Sequence, residues 1–265
     1  MNADNPTWNA ATPLPYISQW AAMYTVGEYL YILGGWSDDG VCRNYHYRIK
    51  DGEWEWKSRA AYERNIFRHT AVVDEVQEKI YVLGGNDCVH SRAEVRIYDP
   101  AGDSWSTISN LPWADLDYSA AIITQKNEER WLVVQRRNYH QIRTWNLDTN
   151  TGWHHVVDTG SNPKNGQGRM VSMTPYTVFM LGAETSTYGT NLANFFVYDP
   201  ETYKFRDIKR FVPNEHVWGF WTTVKRKEQH RVFTNCLAER TYAAVGWGGT
   251  DWVYYNFTMI TLDSF

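Results

Sequence analysis

The sequence predicts an all-β chain built from five copies of a four-stranded unit, and three observations carry that reading. Aromatic residues make up 16% of the 265 residues, with 14 Trp, and aromatic side chains suit a half-buried pleated surface. Gly outnumbers Pro by 18 to 9, as a chain of many tight turns requires. An apolar run ending in a glycine pair recurs at a spacing near 50 residues, and regular spacing of that size marks a repeat architecture.

The four strands follow in order within each unit. Strand A is an alternating segment such as His69-Thr70-Ala71-Val72-Val73. Strand B is the apolar run, at residues 30–35, 80–85 and 178–183, with degenerate copies at 131–136 and 232–237. Its first glycine position therefore falls at Gly34, Gly84, Gln135, Gly182 and Cys236. Glycine there lets the chain turn where backbones crowd together. Strand C ends in Tyr98-Asp99-Pro100 or Tyr198-Asp199-Pro200, with Trp145-Asn146-Leu147-Asp148 and Thr261-Leu262-Asp263 as looser copies. Asp-Pro opens a tight turn, so these aspartates are turn formers rather than paired catalytic carboxylates. Strand D carries an aromatic: Trp8, Trp56, Trp105, Trp153 and Phe205. Short strands with turn signals at this interval are what an all-β assembly needs.

The units run over approximately 16–57, 66–109, 118–157, 169–208 and 220–263, within one domain of residues 1–265. The last unit has strands A to C but no D, while residues 7–15 hold an orphan strand D around Trp8. Closing a ring removes open sheet edges. Segment 7–15 is therefore expected to complete the last unit.

Bulk properties narrow the function. A net charge of −4 gives none of the basic bias that nucleic-acid or membrane-surface binding requires. No apolar run is long enough to span a bilayer. No basic stretch followed by an apolar one marks the N-terminus, so a cytoplasmic protein is expected. Cys42, Cys88 and Cys236 are too few and too scattered for a disulfide framework. All three map to one face in consecutive units, with His46 and His90 close in sequence, yet close-spaced zinc-binding pairs are missing. Buried or incidental thiols are expected, with no metal and no cofactor.

The chain resembles the kelch-repeat β-propeller family over essentially its whole length. The second unit resembles it most, with Tyr81, Gly84-Gly85, Tyr98-Asp99-Pro100 and Trp105 in place; the third and fifth units lack both glycines. The resemblance implies an all-β, five-bladed kelch-type propeller whose last blade is closed by the N-terminal strand. It also implies a protein–protein interaction module, in a substrate-recognition or scaffold role. Partners would bind on the face formed by the B–C loops (36–44, 86–93, 136–141, 183–193, 237–251) and the D–A connections (15–19, 58–68, 111–118, 158–169, 209–219).

That face is rich in Arg and aromatics, the residue types that dominate binding hot spots, whereas the opposite face carries an acidic excess. The residues expected to contact a partner are Trp20, Arg64, Arg68, Asn86, Tyr118, Arg136, Arg169, Trp218 and Trp221. Trp20, Arg68, Tyr118, Arg169 and Phe220 or Trp221 are expected just before strand A, at the channel mouth. In the BTB-kelch ubiquitin-ligase adaptors an Arg there often grips an acidic peptide. The mixture of Arg and aromatics here implies a protein or peptide ligand with both acidic and apolar groups, bound by a monomer. No BTB or BACK segment accompanies it.

Two other readings are a small-molecule or sugar-processing propeller enzyme and an actin-associated structural kelch protein. The Tyr-Cys and His ligand set of copper-radical oxidases and the Glu-x-x-x-Asp-x-x-x-His pattern of iron-dependent specifier proteins are both missing. No catalytic residue is therefore expected.

Overall fold

The computed structural model describes residues 12–50, 52–124, 128–136 and 142–156, and beyond residue 168 the strand backbones alone. Four antiparallel sheets of four strands follow one another along the chain. The first holds β1 (Ala22–Val26), β2 (Tyr29–Leu33), β3 (His46–Lys50) and β4 (Lys57–Ser58). The second holds β5 (Thr70–Asp74), β6 (Lys79–Leu83), β7 (Val95–Asp99) and β8 (Ser104–Thr107). The third holds β9 (Ser119–Thr124), β10 (Arg130–Gln135), β11 (Ile142–Asn146) and β12 (Trp153–Val156). The fourth holds β13 (Arg169–Thr174), β14 (Thr177–Glu184), β15 (Asn191–Asp199) and β16 (Lys204–Arg210).

The fifth unit departs from the expected plan. β17 (Thr222–Arg226) and β18 (Gln229–Cys236) pair as expected, and β18 pairs onward with the chain's last strand. Between them stands an extra hairpin of β19 (Val245–Gly248) and β20 (Asp251–Tyr254), before β21 (Asn256–Thr261) completes the three-stranded sheet. Residues 237–251 were expected as loop throughout. Gly249-Thr250 lies between two alternating aromatic stretches that place Trp247 opposite Trp252, and a two-residue Gly-containing connection favours a hairpin.

Within the first unit the alternation is plain. Ala22, Tyr24 and Val26 of β1 are buried while Met23 and Thr25 are exposed, as the two-residue strand period dictates. Tyr31, Ile32 and Leu33 of β2 are buried in succession, because this inner strand is covered on both faces. Side chains of the second sheet serve two cores. Ile80, Val82 and Tyr98 pack with Tyr24, Tyr31, Leu33, Tyr62 and Ile66 on one side. On the other, Tyr81, Leu83 and Val95 pack with Leu111, Tyr118, Leu132, Val134 and Trp145. Each inter-sheet space is thus its own core. First strands neighbour first strands from unit to unit: β1 with β5, β5 with β9, β9 with β13 and β13 with β17. Successive sheets sharing an inner edge in this way form the arrangement of a β-propeller.

The glycine pair is the joint between units. Gly34 and Gly35 have φ of +62° and +107°, and Gly84 and Gly85 of +56° and +92°. The Gly35 N–H donates to the Ile66 carbonyl at 2.7 Å, and the Gly85 N–H to the Asp115 carbonyl at 3.0 Å. A Cβ on Gly34 would strike Ile66, and one on Gly84 would strike the Tyr118 ring.

Candidate partner-binding face

The β2–β3 loop, the β6–β7 loop and the segments entering β1, β5 and β9 meet at one end of the sheets, linked by the bridges Gln19–Trp36, Phe67–Asn86 and Arg92–Asp115. Trp20, Arg68 and Asp117 hold one equivalent position there, each two residues before the first strand of its unit. The Arg68 N–H donates to the Trp20 carbonyl at 3.0 Å and the Asp117 N–H to the Arg68 carbonyl at 2.9 Å. The backbone thus hands a hydrogen bond from one unit to the next. All three residues are left-handed, with φ of +56°, +53° and +55°. Asp tolerates that conformation; for Trp and Arg it costs roughly 1–2 kcal/mol.

Trp20 is 51% exposed despite its size. Its ring lies 6.0 Å from Phe67, which meets Trp36 edge-on at 5.2 Å. The Arg68 guanidinium stands 6.0 Å from the centre of the Trp20 ring, at the outer limit of a cation–π contact. Arg68 also grips Asp117 with two prongs, Nε to Oδ1 at 3.1 Å and Nη2 to Oδ2, a geometry in which both partners are charge-assisted. Arg64 reaches Glu63 and, at 3.2 Å, Glu94. Arg136 Nε donates to Asp115 at 3.0 Å, with its guanidinium 5.8 Å from the centre of the Trp113 ring. The arginines read from the sequence as open anion grips therefore come with carboxylates attached. An incoming acid must exchange with Asp117 or Asp115 rather than meet a bare cation.

Asn86 lies in the same rim, its backbone exchanging hydrogen bonds of 2.9 and 3.0 Å with Phe67. Two expected rim residues sit elsewhere. Tyr118 is 1% exposed, and its hydroxyl donates to the Trp113 carbonyl at 2.7 Å. Burial pushes its phenol pKa well up. A one-residue slip in alignment carries a side chain from rim to core, and Asp117 is the residue in register with Arg68. Arg169 pairs with Leu181 as Ala22 pairs with Leu33 and Thr70 with Leu83. It therefore lies two residues inside the rim position, on β13. Trp218 and Trp221 lie outside the described residues.

Trp36 was expected on this face, but Phe67 and Asp117 were missed as site residues. The last was findable: Arg68 and Asp117 are one repeat length apart, so writing the units beneath each other brings them together. Cys42 and Cys88 are also paired, as a disulfide with a Cα–Cα distance of 6.1 Å, where buried or incidental free thiols were expected. Among the described residues no three His, Cys, Asp or Glu side chains gather as a metal site, and no helix is long and apolar enough to cross a membrane.

Sheets that share an inner edge, joined by glycine pairs and topped by a loop face, define a repeat protein of the propeller class. The Kelch motif matches residues 68–112, which cover the second unit. Kelch repeat and BTB domain-containing protein 12 from Homo sapiens is 31% identical over 127 residues, 42% of this chain and 20% of that protein. Kelch-like protein 35 from Mus musculus is 30% identical over 108 residues, 40% of this chain and 17% of its own length. The matched stretch is thus about a fifth of each relative or less. One unit of the chain thus carries a kelch motif, and the chain is similar to kelch-repeat proteins over about two fifths of its length.

Proposed function

We propose that this chain binds a protein partner through its loop face, with Trp20 as the apolar anchor and Arg68 as the adjoining polar contact. One observation carries the reading: a bulky aromatic is held half-exposed in a backbone conformation that disfavours it. A bulky residue kept half-exposed in a strained conformation points to function. Phe67 and Trp36 extend the apolar surface beside it, and Arg68 offers a carboxylate site in exchange for Asp117. The partner is a peptide segment with an aliphatic or aromatic anchor next to an acidic residue. Kinship with BTB-containing kelch proteins supports a recognition role within a larger assembly.

Peptides selected from a displayed random library against the intact chain provide the test. They are expected to bind Trp20→Gly and Arg68→Ala at least tenfold more weakly, and Glu75→Lys on the opposite face within error. Trp20→Gly also relieves a left-handed Trp, so its stability should hold or rise by up to ~1 kcal/mol. Peptides that bind Trp20→Gly fully but fail on Glu75→Lys would place recognition on the other face.

A further inference from the structure

The Cys42–Cys88 bond ties the β2–β3 loop to the β6–β7 loop, across the joint between two units and beside the Trp20 patch. Its two ends differ. Cys42 is fully buried and faces Trp36 across the base of its loop. Cys88 belongs to an exposed loop tip and has a left-handed φ of +78°, a conformation that strains a non-glycine residue. The tip around it is braced by Asp87, whose Oδ1 accepts from the Val89 N–H at 3.1 Å and the His90 N–H at 2.7 Å. Arg92 pairs with the same carboxylate. The Cys42 N–H lies 3.2 Å from the Cys88 sulfur, and a donor at that place favours the thiolate over the thiol.

We propose that this pair is a reversible redox clip, a thiol-exchange site for low-molecular-weight thiols and disulfides that sets the conformation of the loop face. Opening begins at the accessible sulfur. An external thiolate attacks Cys88 Sγ, the Cys42–Cys88 bond breaks, and Cys42 leaves as thiolate and takes a proton. A second external thiolate attacks the reagent sulfur of the mixed disulfide and displaces the Cys88 thiolate, which the Cys42 N–H stabilises until it too takes a proton. Two external thiols are oxidised to one disulfide while the protein pair gains two electrons and two protons; closing runs the same steps backward. The closed clip fixes Trp36 and the β6–β7 tip in one arrangement, so it lowers the ordering cost of binding. That consequence rests on the proposed binding function; the thiol chemistry does not.

The test equilibrates the full chain in glutathione buffers of graded ratio, then traps free thiols with a maleimide and locates them by peptide mass. At Cys42 and Cys88, reversible conversion between no trapped thiol and two is expected, with trapping at Cys236 independent of the buffer ratio and an unchanged far-ultraviolet circular dichroism spectrum. Cys42→Ser should accept one glutathione at Cys88, whereas Cys88→Ser should leave the buried Cys42 unmodified. Amide exchange over residues 36–43 and 86–92 should be faster in the reduced chain. A bond that opens only with unfolding, a pair that never closes, or glutathione on Cys42 instead would overturn the clip, as would equal amide exchange in both states. Peptides selected on the oxidised chain should bind it at least fivefold more tightly than the reduced chain. Equal affinity would sink the regulation while leaving recognition at Trp20 intact.

Discussion

The His46 ring is enclosed by Tyr31, Tyr98 and Trp105, with centroids 5.6, 4.4 and 5.6 Å away. Its Nδ1–H donates to the Ala60 carbonyl at 3.2 Å, and Nε2 accepts from the Tyr24 hydroxyl at 2.8 Å. The neutral ring satisfies both nitrogens in this arrangement. Burial lowers the pKa from 6.5 to about 4, against the smaller opposite pull of the Ala60 carbonyl and Asp103. The folded state therefore binds fewer protons than the unfolded one between these values. Its contribution is fully present above the unfolded pKa and is lost as pH falls toward the folded one, by ~3 kcal/mol in all. Urea unfolding of the wild type at about pH 7 and about pH 5 should show a loss in which His46 accounts for ~2 kcal/mol. His46→Gln should lose less across the same step by about that amount. An equal acid-induced loss in both proteins would show that the imidazole is not the group responsible.

At the level of strand and turn, the two kinds of left-handed glycine respond differently to a methyl group. Gly27 turns β1 into β2 at φ +54° with nothing within 4 Å of an added Cβ, so Gly27→Ala is expected to cost ~1 kcal/mol from backbone strain alone. Gly84 has the same φ class but faces the Tyr118 ring and the Asp115 carbonyl of the next unit. Gly84→Ala should cost at least twice as much by urea unfolding; equal costs would mean the joint yields freely. The strands were legible because their signals are local: alternation in 69–73, an apolar run before Gly84, and Asp-Pro after Tyr98. The β19–β20 hairpin was not, since its aromatics sat in a stretch that the repeat pattern assigns to loop. The rim was half legible. Position and composition pointed to Trp20 and Arg68, but the carboxylate facing each Arg is set by how neighbouring units pack, and the register of Tyr118 turned on one residue.

At the scale of the molecule, the second and third units are also held together by buried charge. Arg130 of β10 reaches back to Asp74 of the preceding unit, while its Nε and backbone N–H donate to Asp148 at 3.0 and 2.6 Å. The Arg130 and Asp74 side chains are only 7% and 1% exposed. Arg130→Ala leaves Asp74 buried without its cation and should destabilise by about 3–5 kcal/mol. Combining it with Asp74→Leu should recover much of the loss; a double variant no better than the single would mean the pair is not what joins the units. The N-terminal segment has a parallel. Thr12 Oγ1 donates to the Glu53 carbonyl at 3.2 Å, and the Ala60 N–H donates to Asp103 at 2.8 Å, one repeat further on. Residue 12 thus meets the first unit much as residue 60 meets the second, and on that parallel we propose that the N-terminal segment completes the last blade. Deleting residues 1–15 is then expected to lower the melting temperature sharply, and an unchanged value would count against closure. The relay through residues 20, 68 and 117 bears on how such a surface can diversify. Its connecting bonds belong to peptide groups that every amino acid except proline possesses. The spelling at each of these places can therefore be rewritten, one unit at a time, from indole to guanidinium to carboxylate, while the grammar that joins the units stays as it was.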